Sequence, residues 1–329
     1  MLPLLSITDL AVTFSVFEGI SRVIQGVSLT IARGEKVAIV GESGCGKSVT
    51  ARVILGLMQE RNVSVSGQIQ FDGDELLSLT ERRWRRLRGR RIAMIFQDPA
   101  AALNPVFTVG TQLGTVALRG GSATNRREAM TLAGDMLRKV AITDPDRVLR
   151  SFPFQLSGGL NQRVLISMAL INNPDLVLAD EPGTALDVTV QEQTLRLMND
   201  LIQANGAAVL LITHNLGVVR AFAERVYVMY AGTIVEEADV ATLFSSPKHP
   251  YTEALLKAVP KLSASSLPIG IDGNVPDYIN PPGGCRFSPR CPHAMPVCDK
   301  PVSMVEMGDG SSVRCTLYTV EDPLAVKYD

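Results

Sequence analysis

The sequence predicts an α/β fold built on a mainly parallel sheet with helices on both faces, and three observations carry that expectation. An apolar run at residues 36–40 enters the glycine-rich stretch Gly41-Glu42-Ser43-Gly44-Cys45-Gly46-Lys47-Ser48. The segment that leaves it, 49–58, places apolar side chains at 49, 53, 54 and 57, the spacing of one helix face. A second apolar run, Leu176-Val177-Leu178-Ala179, ends in the paired carboxylates of Asp180 and Glu181. Beyond it, strand-like runs at 207–213 and 225–229 alternate with a helical stretch at 188–204, a pattern that favours parallel strands covered on both sides.

Taken in order, residues 1–35 read as short strands at 4–10 and 23–31, with a turn at Arg33-Gly34. Phe14 and Phe17 lie between them, and each is a candidate to lay its ring on an adenine, with a core role the ordinary alternative. Strand-like runs at 68–72 and 92–96 flank Glu81-Arg82-Arg83-Trp84-Arg85-Arg86-Leu87-Arg88-Gly89-Arg90-Arg91. Such a run could bind an anionic surface, but a net charge of −1 favours a solvated helix leading into a strand and argues against a nucleic-acid partner. From about 98 to 175 helical periodicity replaces strands. Asn125 and Glu128 make a capping box, and Ala129, Leu132, Ala133, Met136, Leu137 and Val140 share one face, so an inserted helical subdomain is expected. A helix at 252–259 closes a first domain, 1–259. The Pro-, Gly- and Ser-rich stretch 262–282 then reads as a linker into a small appendage, 260–329. With no internal repeat, one such module is expected.

The glycine-rich stretch fits G-x-x-x-x-G-K-[ST] between a strand and a helix, the context in which that pattern has structural meaning. Its glycines let backbone N–H groups turn inward around a polyphosphate, and the helix start adds partial positive charge. Gly41, Ser43, Gly44, Cys45, Gly46, Lys47, Ser48 and Val49 are therefore candidates to bind a nucleoside triphosphate, with Lys47 on the β- and γ-phosphates and the Ser48 hydroxyl on Mg²⁺. Asp180 suits the Mg²⁺ shell, because a hard cation takes oxygen ligands. Glu181, one residue on, is placed to polarise a water for in-line attack on the γ-phosphate. The bland alternatives, a chance glycine turn and a strand ending in solvated acids, lose weight because both features occur together.

Between them lies Leu156-Ser157-Gly158-Gly159-Leu160-Asn161-Gln162-Arg163. Its Leu-Ser-Gly-Gly start resembles the signature motif of ABC ATPases. The resemblance implies a P-loop NTPase fold with a mainly parallel core sheet, an antiparallel β subdomain and the inserted helical subdomain. It also implies that Ser157, Gly158 and Gly159 serve the ATP of a second ATPase subunit facing this one head to tail. Other family marks follow in order. Gln97, in Ile95-Phe96-Gln97-Asp98-Pro99, matches the glutamine loop near Mg²⁺ and the attacking water. Ala185-Leu186-Asp187 matches the D-loop, and His214, in Ile212-Thr213-His214, matches the switch histidine on the γ-phosphate. Within the family, the stretch from Ile95 to Pro105, the run Ala185-Leu186-Asp187-Val188-Thr189, His249-Pro250-Tyr251-Thr252 and the tail from Pro281 to Pro292 look like ATP-binding subunits of dipeptide, oligopeptide and nickel importers. That resemblance implies an ATPase coupled to solute import, two transmembrane permease subunits and a separate solute-binding protein. Nickel, opine or glutathione import is the near alternative, and a soluble ABC ATPase working on ribosomes or DNA the distant one. The sequence departs from the usual pattern at Leu160, Asn161 and Gly183, none of which removes a catalytic group.

Four of the five cysteines, Cys285, Cys291, Cys298 and Cys315, crowd into the C-terminal tail. Their spacing is neither that of zinc ribbons nor that of bacterial ferredoxins, so Zn²⁺ and an iron–sulfur cluster both stay open, with disulfides less favoured. Resemblance to the peptide-importer ATPases implies a [4Fe-4S] cluster with a structural or regulatory role. No apolar run reaches the roughly 18 residues of a membrane span, and the first residues lack a basic region and a cleavage site. The expected location is therefore the cytoplasmic face of the inner membrane, reached through partner subunits.

Overall fold

Ile92–Ile95, Leu176–Asp180 and Ala208–Ile212 lie side by side as parallel strands, with Leu178 paired to Met94 on one side and to Leu210 on the other. Every residue of the three is buried, which is why they read as unbroken apolar runs and not as alternation. The computed structural model describes residues 2–183, 187–259 and 270–319, and divides them into two units. The first contains these three strands within Leu77–Ile212, together with 2–4 and Ile31–Lys36. The second contains Leu5–Thr30, Val37–Leu76 and the described residues from Thr213 onward.

In the first unit the stretch between the strands at 92 and 176 is helical, as expected: Pro99–Ala102, Val109–Gly120, Arg126–Lys139, Pro145–Arg150 and Gly158–Leu170. Asn125 caps its helix by accepting from Glu128 N at 3.0 Å. Glu128 does not complete the reciprocal half of the box; its carboxylate takes the backbone N–H and hydroxyl of Thr124 instead, at 2.8 and 2.7 Å. The predicted face of this helix is the buried one, with Leu132 only partly covered. Arg163 ties the helix end to the next layer by donating to the carbonyls of Val140 and Ala141. The arginine run forms the helix Glu81–Leu87, whose Trp84 and Leu87 point inward while Arg82, Arg83, Arg85 and Arg86 stay exposed.

The second unit holds an antiparallel sheet in the order Gly19–Ile31, Leu5–Val16, Val63–Phe71, Asp74–Glu75. It also holds Lys36–Val40 parallel to Arg225–Tyr230, then Thr233–Asp239, Ser312–Val313 and Val305–Glu306, each antiparallel to its neighbour. The first two strands are longer than the sequence suggests. A bulge between Thr8 and Ala11, with Asp9 at φ 49°, breaks the alternation that marks a strand. Gly67 faces that bulge, and a Cβ there would sit 2.6 Å from the Asp9 carbonyl oxygen. The helix after the glycine-rich loop stops at Ile54, short of the predicted 58, because Gly56 at φ 62° turns the chain. The predicted linker also needs correcting. Its part at 270–282 is pinned to the unit, since Arg22 N donates to the Tyr278 carbonyl at 2.7 Å and the Arg22 guanidinium to that of Ile279 at 2.9 Å. The expected domain boundary at 259/260 adjoins residues 260–269, which lie outside the described residues. No helix among the described residues is long and apolar enough to cross a membrane.

Candidate active site

The glycine-rich loop is closed by its own lysine. Lys47 is 5% exposed, and its ammonium donates to the carbonyls of Gly41 at 2.7 Å and Glu42 at 2.9 Å. Gly41, Gly44 and Gly46 take φ of 153°, 80° and 108°, values that other residues adopt only under strain. At Gly41 space forbids a side chain as well, since a Cβ would lie 2.0 Å from the Met229 carbonyl oxygen. Gly46 caps the helix Lys47–Ile54, so Ser48 and Val49 sit in its first turn, where N–H groups lack helical partners. Ser43 and Gly44 are exposed and Cys45 is buried, with burial pushing its thiol up. Phe17 is fully exposed in the turn after Leu5–Val16. His214 is exposed just past Ala208–Ile212, where Thr213 N donates to the Ile39 carbonyl and Asn215 caps the helix Leu216–Phe222.

In the first unit, parallel register brings Gln97 and Glu181 together at the ends of neighbouring strands. The Gln97 amide donates to the Glu181 carboxylate at 2.9 Å. Asp180, the last residue of its strand, is 4% exposed. Glu181 is half-buried at φ 46°, in the left-handed region, and its N–H donates to the Ile212 carbonyl at 2.8 Å. Strain at a strand end is frequent where a side chain must be aimed. Ser157 caps the helix Gly158–Leu170, its hydroxyl accepting from Leu160 N, and both Ser157 and Gly158 are exposed. Such an exposed helix start offers N–H groups to an anion. Asn161, one of the departures noted above, is buried and donates to the Pro153 carbonyl at 3.0 Å, fixing the turn that precedes the signature. Asp187 caps the helix Val188–Asn205 through Val190 N at 2.9 Å. Ala185 and Leu186 of the D-loop lie outside the described residues.

The four tail cysteines all line one small cavity with His249 and His293, and none is in a disulfide. Burial raises the thiols of Cys285 and Cys291, and that of Cys315 to about 11, with neighbouring cysteines adding to the rise. His249 is 1% exposed. Its Nδ1 accepts from Tyr251 N at 3.0 Å, which leaves the proton on Nε2, and Nε2 has no partner among the described residues. Burial drives this ring down to about 3, so it is neutral near pH 7. A buried donor without an acceptor, beside four thiols, fits an anionic thiolate centre. Among the described residues, however, no three His, Cys, Asp or Glu are gathered closely enough to hold a single metal ion.

Sequence reasoning missed the residues that brace the glycine-rich loop. Glu42 N donates to the Tyr251 hydroxyl at 2.8 Å, the Tyr278 hydroxyl donates to the Gly44 carbonyl at 2.8 Å, and Arg290 pairs with the Glu42 carboxylate at 2.7 and 3.2 Å. Nothing in a linear reading links residues more than 200 positions apart.

The chain is similar to known proteins over most of its length. Residues 24–184 match the ABC transporter family, and residues 235–298 match the oligopeptide/dipeptide transporter C-terminal region. A probable peptide ABC transporter ATP-binding protein of Sinorhizobium fredii is 48% identical over 95% of this chain and 94% of its own length. The dipeptide transport ATP-binding protein DppD of Bacillus subtilis is 44% identical over 96% and 93%. Among solved structures, a dimeric ATP-binding cassette bound to ADP and phosphate in a post-hydrolysis state superposes with a TM-score of 0.64 at 29% identity, covering 72% of this chain and 98% of that one. The chain belongs to the ABC transporter family as an ATP-hydrolysing cassette, in the branch that carries the oligopeptide/dipeptide transporter C-terminal region.

Proposed function

We propose that this chain powers the uptake of dipeptides or oligopeptides, as one of two ATPase subunits of an importer at the cytoplasmic face of the inner membrane. What carries this is the joint occurrence of a nucleotide cassette and an oligopeptide/dipeptide C-terminal region in a chain that its peptide-transport relatives match almost end to end. Lys47 and the loop N–H groups hold the phosphates of ATP. Ser48, Gln97 and Asp180 would hold Mg²⁺, which would supply neutralising charge to the phosphates. Glu181, oriented by the Gln97 amide, accepts a proton from the attacking water, and His214 contacts the γ-phosphate. Ser157, Gly158, Gly159 and Asp187 act on the nucleotide of the partner ATPase, a related chain, and Phe17 offers its ring to adenine.

Val106, Phe107 and Phe154 are more than half or fully half exposed in the helical stretch that follows Gln97, with Phe154 stacked on Phe152 at 5.6 Å. Exposed apolar side chains of this size favour a protein partner, and two permease subunits are the partners proposed, with solute delivered by a separate binding protein. For the tail, we assign Cys285, Cys291, Cys298 and Cys315 to a [4Fe-4S] cluster of structural or regulatory use. The shared cavity and the orphan His249 Nε2–H support this, and zinc is the alternative. Iron and acid-labile sulfide in anaerobically prepared protein decide between them.

The test is to isolate the intact transporter through a tag on this chain and measure uptake into sealed vesicles. ATP-dependent entry of labelled di- or oligopeptides is expected. Entry of nickel or glutathione alone would overturn the peptide assignment, and recovery of ribosomes or DNA in place of apolar permeases would overturn the importer.

A further inference from the structure

Arg290 stands one residue before Cys291, which lines the four-thiol cavity, and its side chain is 4% exposed. A guanidinium has five N–H donors in a fixed fork, and leaving any of them buried and unpaired is costly. Here all five are met. Nε donates to the Asp272 carbonyl at 2.7 Å, Nη1 to Glu42 Oε2 at 2.7 Å and to the Tyr230 hydroxyl at 3.2 Å, and Nη2 to Glu42 Oε1 at 3.2 Å and to the Ile271 carbonyl at 2.9 Å. The pairing with Glu42 is bidentate, the strong form of this contact.

Glu42 is the second residue of the phosphate loop, and its backbone is already fixed by Tyr251 at N and by Lys47 at O. Its side chain brings a negative charge into a loop whose proposed ligand is a polyphosphate, where like charges repel. Neutralising that charge and tying the Glu42 side chain to the backbone at 271–272 are tasks one side chain performs at once.

We propose that Arg290 is a positioning residue of the nucleotide site: it neutralises Glu42 and fastens the loop to the cysteine-bearing tail, so that the tail sets part of the affinity for ATP. The inference rests on the reading that this loop binds ATP, and it does not depend on what the thiols hold. Lys in this place keeps the charge but loses the fork, so it substitutes only in part.

The full chain is compared with R290Q, R290K, E42Q and the double variant E42Q/R290Q, measuring MgATP binding by calorimetry and steady-state hydrolysis. R290Q should raise the Kd and KM for ATP about tenfold, within the usual range of site coupling, and leave kcat near the parent value. R290K should fall between. The double variant should recover most of the affinity, because the repelling carboxylate has gone with its partner; if R290Q does not fold, R290K and the double variant carry the comparison. R290Q or R290K binding ATP as tightly as the parent, or a double variant no better than R290Q, overturns the proposal. A parent chain that does not bind MgATP overturns the nucleotide-site assignment beneath it.

Discussion

The phosphate loop and the Asp180-Glu181 strand end reach functional geometry by different routes. The loop is held from several sides: glycines that tolerate its backbone, a lysine folded onto its carbonyls, and Tyr251, Tyr278 and Arg290 bracing its outer side. The strand end relies on register, a left-handed residue and one amide from the adjoining strand. The loop proposed to bind phosphate is thus held by its own lysine and by side chains far along the chain, whereas the carboxylate proposed as the base is aimed by strand register and backbone conformation. Substitutions should separate the two: at the strand end they should change turnover with binding intact, and at the loop they should change binding or folding.

The largest effect is expected for Glu181→Gln, which keeps the shape and removes the proposed base. Hydrolysis should fall about 10²–10⁴-fold while ATP binding persists, as read by a phosphate-release assay beside calorimetry. Turnover that survives this change would break the contrast. Next comes Gly41→Ala. Its Cβ would collide with the Met229 carbonyl at a φ of 153°, so unfolding in urea should show a loss of ~3 kcal/mol with an unchanged m-value. A loss near zero would mean that the loop is less constrained than its contacts indicate.

The smallest effect concerns the cavity that adjoins the loop's braces. His249 is neutral when folded, with its pKa lowered by burial to about 3 from an ordinary value near 6.5. The unfolded chain therefore takes up a proton that the folded chain refuses. Stability is complete above about pH 6.5 and falls as pH drops toward 3, by up to about 1.4 kcal/mol per unit. A stability profile taken between about pH 7 and 5 should slope this way, and His249→Gln should flatten it.

How much of this could be read in advance follows from sequence distance. Gly41 to Ser48, the Asp180-Glu181 pair and the Leu-Ser-Gly-Gly helix start were legible because each is a contiguous pattern whose chemistry acts within a few residues. The helical stretch at 98–175 was legible for a similar reason, since its apolar faces repeat at helical spacing. The Gln97–Glu181 contact spans 84 positions, and only likeness to a family linked the two. Arg290 lies in the tail that carries the family likeness, but its pairing with Glu42, 248 positions away, left no mark in the sequence, because an arginine among prolines and cysteines looks like surface. The full length of Leu5–Val16 is hidden in the sequence because the bulge at Asp9 shifts the inward–outward pattern that a strand is recognised by. Segment 270–282 looked like a tether from its composition, although its backbone carbonyls anchor Arg22 and Arg290.

The strands Ser312–Val313 and Val305–Glu306 have a further effect through their place beside Thr233–Asp239. Glu236 and Glu237 pair with Val313 and Ser312, so part of a margin that would otherwise present open N–H and C=O groups is already taken. The outermost strand is only two residues long, too short to template a neighbour. The C-terminal segment thereby works as a selvedge, finishing part of that margin with two short strands.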